Sequence, residues 1–463
     1  MTLIKSISGI RGTIGGKTSD NLTPIDAVKF ASAYGTFIKN RNPNKEKITV
    51  VIGRDARISG KMISSLVANT LVGLGINVID LGLSTTPTVE VAVPMENADG
   101  GIILTASHNP KQWNALKLLN EKGEFLNGED GEVILETAES DDFDFADVDD
   151  LGTYSKDKTY LEKHIQEVLN LELVDVEAIR NANFKVVVDG VNSTGGIFIP
   201  ALLKELNVAC IELYCEPNGD FPHNPEPLKE HLTDISELVL KEQADFGIVV
   251  DPDVDRLALI CEDGSMFGEE YTLVACADYV LGRLGGGNTV SNLSSSRALR
   301  DVTQKHGGTY TASAVGEVNV VIKMKETNTV IGGEGNGGII YPASHYGRDS
   351  LVGVALFLSH LARIKMSCKA LRESYPSYFM SKNKIQLTPQ IDVDQILETM
   401  ATKYANEDVN TIDGVKIDFE NEWIHLRKSN TEPIIRIYTE SNSQVNADAL
   451  AERFISEIKE IIA

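Results

Sequence analysis

Residues 246–256 read FGIVVDPDVDR, an apolar run of five residues followed by three aspartates at alternate positions. An unbroken apolar run of this length is typical of a strand that is buried on both faces of a parallel sheet. Because alternate side chains of an extended segment share one face, Asp251, Asp253 and Asp255 are expected to converge just past the strand. Clustered carboxylates repel one another unless a hard cation neutralises them, and Mg²⁺ prefers oxygen ligands. The stretch therefore predicts an α/β sheet with a metal site at its carboxyl edge.

The same aspartates admit two other interpretations. Glu262 stands at the twelfth position of an EF-hand loop that starts at Asp251. However, Arg256 occupies the position that an EF-hand reserves for glycine, and a strand pattern precedes the loop where a helix is required. The EF-hand is therefore excluded, and a solvated acidic turn remains the alternative to a metal site.

The pattern of a strand that ends in a polar loop recurs on both sides of this stretch, alternating with helical patterns. This alternation indicates doubly wound α/β units with parallel sheets, and the recurrence favours three copies of one domain. Near the C-terminus, residues 423–427 and 434–438 alternate like antiparallel strands, and an amphipathic helix is expected over about 445–462. The strand-like runs of the first three units are 48–52, 77–81, 101–105, 185–188, 246–250, 289–293 and 329–331.

The net charge of the protein limits the classes of partner that it can bind. The 463 residues include 43 lysines and arginines against 67 aspartates and glutamates, a net charge of −24. Such a chain repels nucleic acid and anionic membrane surfaces, so neither is an expected partner. The five scattered cysteines contain no CxxC pair and indicate neither a zinc site nor a disulfide framework. No run resembles a signal peptide or reaches membrane-spanning length, so a cytoplasmic location is expected.

The first further motif, TASHNP at residues 105–110, directly follows an apolar run. Ser107 is thereby placed at the carboxyl end of a strand, where open α/β sheets bind ligands. A serine there can accept and release a phosphoryl group, and Lys117 could return to the same site as a proton donor or acceptor. A hydrolase triad is excluded because there is no GxSxG elbow and His108 is adjacent in sequence. An ordinary turn remains the alternative.

The second motif, GEGNGG at residues 333–338, formally matches the GxGxxG dinucleotide fingerprint. The fingerprint requires a helix to follow, but the apolar residues 339–340 and Pro342 follow instead, which argues against a dinucleotide site. A carboxylate (Glu334) and an amide (Asn336) among glycines suit sugar hydroxyls, because glycine allows close backbone approach. A plain flexible loop remains the alternative.

The third motif is the loop 427–433, RKSNTEP, with Arg436 just beyond it. Its cations, hydroxyls and amide suit a phosphate, and Arg436 is well suited to bidentate contact. A hairpin loop with incidental charge remains the alternative. The candidate phosphate ligands are Arg427, Ser429, Asn430, Thr431 and Arg436.

Together the motifs TASHNP, DPDVDR, GEGNGG and RKSNTEPIIR resemble the signatures of the α-D-phosphohexomutase superfamily. SISGIRG at 6–12, GRDAR at 53–57 and PNGDFPHNPEP at 217–227 resemble further family stretches, so that the resemblance covers essentially the whole chain. It implies three similar mixed α/β domains, each an α/β/α sandwich, and a C-terminal α+β domain around a central cleft. The expected domain limits are 1–150, 151–256, 257–370 and 371–463.

The resemblance also implies roles for individual residues. Ser107 would be the phosphoserine and would share one Mg²⁺ with the three aspartates, next to Arg256. Arg11, Lys117 and His108 are candidates for proton transfer or phosphate contact. Glu334 and Asn336 would bind sugar hydroxyls, and the loop that begins at Arg427 would hold the phosphate that is not transferred.

The implied reaction interconverts hexose 1- and 6-phosphates through phospho-Ser107 and a hexose bisphosphate, which is both intermediate and activator. Asn336, together with glycine at 338 where several bacterial members carry histidine, favours glucosamine phosphate as the substrate. A dual glucose and mannose enzyme is the alternative. A metal-dependent sugar phosphatase and a non-catalytic sugar-phosphate sensor are alternatives of other classes, and the oligomeric state stays open.

Overall fold

The protein is described by a computed structural model that covers residues 2–6, 9–386, 391–428 and 434–462, and the strands in these ranges form four sheets. The first sheet is built from β1 (Ile4–Ser6), β2 (Gly9–Thr13), β3 (Thr49–Arg54), β4 (Asn77–Leu83), β5 (Gly100–Leu104), β6 (Trp113–Leu119) and β7 (Tyr154–Lys156). The helices of this part are α1 (Pro24–Arg41), α2 (Gly60–Gly73), α3 (Thr86–Met95) and α4 (Gly128–Ser140).

The second and third sheets have four strands each. The second contains β8 (Lys185–Asp189), β9 (Ala209–Leu213), β10 (Phe246–Val250) and β11 (Leu257–Cys261), with α5 (Tyr160–Leu169), α6 (Val176–Ala182), α7 (Gly195–Glu205) and α8 (Thr233–Glu242). The third contains β12 (Asn288–Asn292), β13 (Tyr310–Ser313), β14 (Thr329–Glu334) and β15 (Gly338–Ile340), with α9 (Glu269–Leu284), α10 (Ala298–Lys305), α11 (Glu317–Glu326) and α12 (Ser350–Ile364).

One strand order recurs in these three sheets. It reads β6-β5-β3-β4 in the first, β11-β10-β8-β9 in the second and β15-β14-β12-β13 in the third. In each, the first strand of the unit is parallel to the second and third, and the third is antiparallel to the fourth. The predicted repeat is therefore confirmed as a topology, with a mixed rather than purely parallel sheet because the fourth strand turns back.

Alternation along the buried strands explains why helices cover both faces. In β3, Val50 and Ile52 belong to the core that α1 and α2 enclose, whereas Val51 belongs to a second cluster beneath α3. In β8, the residues at 186 and 188 belong to one hydrophobic cluster, and Val187 belongs to another on the opposite face of the sheet. Each of these sheets is thus the middle layer of an α/β/α sandwich, as expected.

The C-terminal sheet is entirely antiparallel, in the order β16-β20-β19-β18-β17. One face packs against α14 and α15 through Met400 and Phe454, and Ile435 and Ile437 of the sheet join that core. Arg436 lies between them in sequence and faces the opposite side. The elements are α13 (Cys368–Ser374), β16 (Phe379–Gln386), α14 (Val393–Lys403), β17 (Asp408–Asn410), β18 (Val415–Asp418), β19 (Trp423–Lys428), β20 (Ile434–Ser441) and α15 (Gln444–Ile462).

The limits of the domains remain predictions. β7 lies past residue 150 and β11 lies past residue 256, yet β7 pairs with β4 and β11 pairs with β10. Each of these strands completes the sheet that precedes the expected boundary.

Among the described residues, no single helix is long and apolar enough to cross a membrane. One pair, α12 with α13, passes the same test by composition but is bent by 89° at the break. In α12 the residues from Ser350 to Leu361 are buried in the protein, so that the apolar character of α12 is that of a core helix.

Candidate active site

The three repeated units bring their equivalent loops together. The loop between β5 and β6 carries Ser107, the loop between β10 and β11 carries the aspartates, and the GEGNGG motif runs from the end of β14 to the start of β15. Ser107 Oγ donates to Asp251 Oδ2 at 2.8 Å, which joins the first loop to the second. Leu257 N donates to Gly337 O at 3.0 Å, which joins the second loop to the third.

Ser107 sits in a strained turn of the first loop. Its φ is 47°, in the left-handed region that non-glycine residues seldom adopt. Its amide donates to Thr105 Oγ1 at 3.0 Å, and only 7% of the residue is exposed. Nδ1 of His108 lies 3.3 Å from Ser107 Oγ. The sharp turn brings the imidazole over the hydroxyl, so that His108 faces the cleft.

His108 is half-buried among cations. Burial, together with the nearby guanidinium of Arg256, holds the pKa of His108 well below its usual range. The imidazole is therefore neutral near pH 7, and it can accept or donate one hydrogen bond at the serine without adding a charge.

Arg57 holds the serine loop in place and was not singled out by the sequence. This buried guanidinium donates to four backbone carbonyls of the loop. Its Nε donates to Asp55 Oδ2 at 2.9 Å, and Thr105 Oγ1 donates to the same oxygen at 2.7 Å. The planar fork of arginine explains this use, since it offers five fixed donors. The carbonyls that Arg57 binds belong to Ser107, Asn109, Pro110 and Trp113.

The three aspartates do converge. Asp251, Asp253 and Asp255 are fully buried, and they offer one oxygen each within 4.8 Å of one another. Oδ1 of Asp253 and Oδ1 of Asp255 are buried without a hydrogen-bond partner among the described residues. Burial and the neighbours Asp255 and Asp253 raise the pKa of Asp251 well above its usual range. Mg²⁺ binds carboxylate oxygens and would neutralise the repulsion between these unpaired ones. The three residues therefore fit the ion.

Lys117 and Arg11 lie beside the aspartates. Lys117 Nζ is 2.7 Å from Asp253 Oδ2 and 3.2 Å from Asp255 Oδ2. Burial alone would lower the pKa of Lys117, but the two carboxylates outweigh burial and hold that pKa above its usual value. Burial and Arg256 lower the pKa of Arg11, against the opposite pull of Asp253. Both basic groups line one cavity with Ser107.

Arg348 is a second site residue that sequence reasoning missed. Its buried guanidinium contacts Asp255 Oδ2 at 2.7 Å, Glu317 Oε2 at 2.9 Å and Glu334 Oε2 at 3.1 Å. Burial would raise the pKa of Asp255, but Arg348 and Lys117 hold it well below the usual range. Arg348 thus couples the metal loop to the sugar loop. No signal in the sequence marks this single arginine, which lies between motifs.

The sugar loop holds its carboxylate firmly. Glu334 Oε1 accepts from Asn292 Nδ2 at 2.9 Å, and its Oε2 accepts from Asn336 Nδ2 at 3.4 Å as well as from Arg348. Gly337 has φ of 86°, and an added Cβ would lie 2.3 Å from Leu257 O. The glycine is therefore required by the close approach of the β10–β11 loop.

A second carboxylate, Glu270 at the start of α9, lies against this loop. Glu270 Oε2 accepts from Ser296 N at 2.9 Å, and a Cβ on Gly335 would lie 2.0 Å from the same oxygen. Burial raises the pKa of Glu270 to about 8, against the pull of Lys382. The carboxyl group lines the same cavity as Glu334 and Asn336. It was not predicted, because nothing in its local sequence differs from an ordinary helix start.

The C-terminal sheet turns a row of cations toward the cleft. Arg436 pairs across the strands with Arg427 on one side and with Lys384 on the other. Arg427 already pairs with Asp413 at 2.9 Å, whereas no described carboxylate forms an ion pair with Arg436. Like charges directly opposite one another destabilise a sheet, so that Arg436, which lines the cleft with Arg427, suits a phosphate. Arg427 and Arg436 lie where they were predicted, whereas Ser429, Asn430 and Thr431 fall outside the described residues.

One continuous cleft results. Two adjoining cavities of ≈ 340 Å³ and ≈ 490 Å³ share His108, Arg256, Glu334 and Arg427 in their linings. These four side chains come from four successive parts of the chain. Ser107 and the aspartates stand on one side of the cleft and the cation row stands on the other, with the sugar loop between them.

The three-fold repeat sets a buried serine beside three metal-binding carboxylates, and a row of cations lies across the polar cleft from them. This arrangement defines a phosphohexomutase, an intramolecular phosphotransferase. Family models for phosphoglucomutase/phosphomannomutase match in chain order, for α/β/α domain I over residues 3–145, domain II over 160–264, domain III over 268–378 and the C-terminal domain over 384–457. The chain belongs to the phosphoglucomutase/phosphomannomutase family.

Individual relatives agree over nearly their whole length. The chain is 35% identical to a phosphoglucomutase/phosphomannomutase of Thermococcus kodakarensis, over 97% of this chain and 98% of the relative. It is 32% identical to a probable phosphoglucosamine mutase of Pyrococcus horikoshii, over 98% and 97% of the two chains. A crystal structure of a phosphoglucomutase/phosphomannomutase family protein from Burkholderia thailandensis superposes with a TM-score of 0.84 at 25% identity, covering 99% of this chain and 98% of the other.

Proposed function

We propose that this enzyme interconverts the 1- and 6-phosphates of glucosamine by way of a phosphoryl group on Ser107. The observation that carries the mechanism is the pairing of two phosphate positions across one cleft. Ser107 Oγ lies 2.8 Å from Asp251 on one side, and the Arg427–Arg436 row lies on the other. A phosphatase needs only the first position, whereas a mutase must hold the phosphate that is not being transferred.

The cycle starts with phospho-Ser107 and a hexose monophosphate. The free hydroxyl of the sugar attacks the phosphoryl group, the bond to Ser107 Oγ breaks, and a hexose bisphosphate forms. The bisphosphate then turns over in the cleft and returns its other phosphoryl group to Ser107, so that it serves as intermediate and, when added, as activator. Asp251, Asp253 and Asp255 would hold Mg²⁺, which would neutralise negative charge on the transferring group.

The remaining roles follow from the contacts of each side chain. Lys117, held as an ammonium between Asp253 and Asp255, is placed to give a proton to the departing Ser107 Oγ. As the amine it then takes the proton that the sugar hydroxyl releases, so that the proton count balances in both directions. Arg57 fixes the serine turn through backbone carbonyls. Arg11 and Arg256 line the cavity in which the transferring phosphate would lie, and they supply positive charge there.

Arg436→Ala is expected to raise the KM for the hexose phosphate by roughly tenfold or more, because it removes a charge-assisted contact worth about 1.5–3 kcal/mol. The phosphoserine level of Arg436→Ala should equal that of the wild type. The measurement is steady-state kinetics, with Lys459→Ala, an exposed cation in the last turn of α15, as the control. An unchanged KM would remove the cation row from the site.

The preference for glucosamine phosphate rests on the two carboxyl groups that flank the sugar loop. Glu334 is already held by Arg348, Asn292 and Asn336, whereas Glu270 has one described donor, Ser296 N. The pKa of a buried carboxyl group is raised because burial destabilises its ionised form, and a neighbouring cation stabilises that form. A protonated 2-amino group is such a cation. Glu270 is therefore the residue that we assign to the amino group.

A dual glucose and mannose mutase is the second candidate. It is favoured by the phosphoglucomutase/phosphomannomutase of Thermococcus kodakarensis, which shares 35% identity with this chain. In that case Glu270 accepts a hydrogen bond from a neutral hydroxyl, and its charge matters little.

Glu270→Gln separates the two candidates. We expect the substitution to lower kcat/KM for glucosamine phosphate about tenfold or more relative to glucose phosphate, since the amide keeps the shape and loses the charge. Steady-state comparison of the glucosamine, glucose and mannose phosphates is the measurement. Glu177→Gln, an exposed glutamate in the first turn of α6, is the matched control. A wild-type preference of tenfold or more for glucose or mannose phosphate would overturn the substrate assignment and leave the chemistry at Ser107 intact.

A further inference from the structure

Apart from the aspartate triplet, two histidines and an aspartate from separate parts of the chain meet in the protein interior. His164 lies in α5, and His345 and Asp349 lie in the segment that leads into α12. Each offers one ligand atom, and these atoms lie within 4.8 Å of one another. We propose that the three residues form a second metal site, which binds one divalent transition cation of the Zn²⁺ type.

The distances suit a shared cation. His164 Nε2 lies 2.9 Å from Asp349 Oδ2, and His345 Nε2 lies 3.2 Å from the same oxygen. Ligands at the usual Zn–N and Zn–O lengths of about 2.0–2.2 Å in a tetrahedron are themselves roughly 3.3 Å apart. The side chains of His164 and Asp349 are at most 2% exposed and that of His345 is 11% exposed, so that one remaining position could take water.

The outer nitrogen of each imidazole faces an oxygen atom of the kind that orients metal ligands. His164 Nδ1 lies 2.8 Å from Thr88 Oγ1. His345 Nδ1 faces Glu90 Oε2 at 3.5 Å. Metal-binding histidines usually donate their second N–H to an oxygen in this way, most often a carboxylate, which fixes the tautomer. If Nδ1 carries the proton in both rings, both Nε2 lone pairs face Asp349 Oδ2, and a cation bound by all three atoms would relieve their repulsion.

Unsatisfied atoms around the cluster give independent support. Both carboxylate oxygens of Glu90 and Nδ1 of His345 are buried without a hydrogen-bond partner among the described residues. No described lysine or arginine forms an ion pair with Glu90 or Asp349, whose only such contacts are the two histidines. A divalent cation would balance the two buried carboxylates, and it would set the Nδ1 proton of His345 toward Glu90.

The chemistry of the ligands selects the metal. Imidazole nitrogen suits Zn²⁺ and its neighbours in the first transition row, whereas Mg²⁺ prefers oxygen ligands throughout. The aspartate triplet offers only oxygen ligands. We therefore expect the triplet to prefer Mg²⁺ and the histidine site to prefer Zn²⁺. The second site also has a structural consequence. It would tie α5 to the segment 345–349, which contains Arg348, the residue that contacts Asp255, Glu317 and Glu334.

The test counts zinc on the full-length enzyme. The protein is stripped with a chelator, reloaded with ZnSO₄ in the presence of excess MgCl₂ that keeps the aspartate triplet occupied, desalted and analysed by plasma mass spectrometry. We expect about one zinc per chain in the wild type and in the control His231→Asn, and less than a tenth of that in His345→Ala. Glu90→Gln should retain the site with zinc affinity lower by about 10–100-fold.

X-ray absorption at the zinc edge of the wild type decides the ligands without any variant. Two imidazole nitrogens in the zinc coordination shell would support the proposal. Oxygen-only coordination would place the zinc on the aspartate triplet and overturn it. Absence of retained zinc would overturn it as well, and would assign the cluster to a metal-free network of protonated histidines that bridge the carboxylates.

Discussion

Ser107→Ala is expected to lose mutase turnover by far more than a hundredfold while the protein stays folded. The proposed mechanism makes the hydroxyl of Ser107 the phosphoryl acceptor, because it hydrogen-bonds to Asp251 of the metal-binding triplet at 2.8 Å. The imidazole of His108 lies 3.3 Å from that hydroxyl and contacts it, but the expected phosphoryl acceptor is the hydroxyl that bonds to Asp251. Coupled assays of hexose 1-phosphate conversion measure the loss.

The strained backbone at residue 107 calls for a second variant. Since Ser107 has φ of 47°, Ser107→Gly removes the hydroxyl and relieves the turn at once. Both variants should be equally inactive, whereas Ser265→Ala in an exposed turn should match the wild type. Turnover above about a hundredth of the wild-type rate in either Ser107 variant, a loss of only ~2.7 kcal/mol, would rule out the covalent route.

Asp253→Asn is expected to lower kcat at least a hundredfold, with a much smaller change in substrate affinity. The substitution removes one of three carboxylates that fit Mg²⁺ and the partner of Lys117 Nζ at 2.7 Å. The residual activity should depend on a higher Mg²⁺ concentration than that of the wild type. The measurement is kcat as a function of free Mg²⁺, and substrate affinity is read separately by calorimetry.

Two controls keep this result specific. Asp263→Asn changes an aspartate in the turn after β11, outside the cleft, and should leave the metal dependence unchanged. Prolonged chelation of the wild type should abolish turnover, and added Mg²⁺ should restore it. Turnover that survives chelation would mean that the buried triplet does not hold a metal ion on which turnover depends.

The sequence predicted the fold closely because local patterns dominate it. The run 246–250 is β10 to the residue, and the helix expected over about 445–462 is α15, Gln444–Ile462. The run expected at 329–331 instead continues through the two glycines to Glu334, because β14 keeps pairing with β12 and β15. The glycines there reflect close packing between strands rather than the start of a loop.

The loops that carry the candidate catalytic residues could also be predicted from the sequence, because each directly follows a strand-like apolar run. The residues that were missed act at long range along the chain. Arg57 binds a loop some fifty residues away, and Arg348 joins loops from two different sheets. Glu270 meets the sugar loop only because α9 packs beside β14. Such contacts depend on how the domains are arranged, which no local period or spacing encodes.

The central claim is that Ser107 carries the phosphoryl group, and the most direct test is peptide mass spectrometry of the enzyme after incubation with a hexose 1,6-bisphosphate and Mg²⁺. The account predicts one phosphoryl group per chain, on the peptide that contains TASHNP at 105–110 and on Ser107 within it. Addition of hexose 1-phosphate should discharge the group into bisphosphate. A chain that remains unmodified while it turns over, or a phosphoryl group on another residue, would contradict the mechanism.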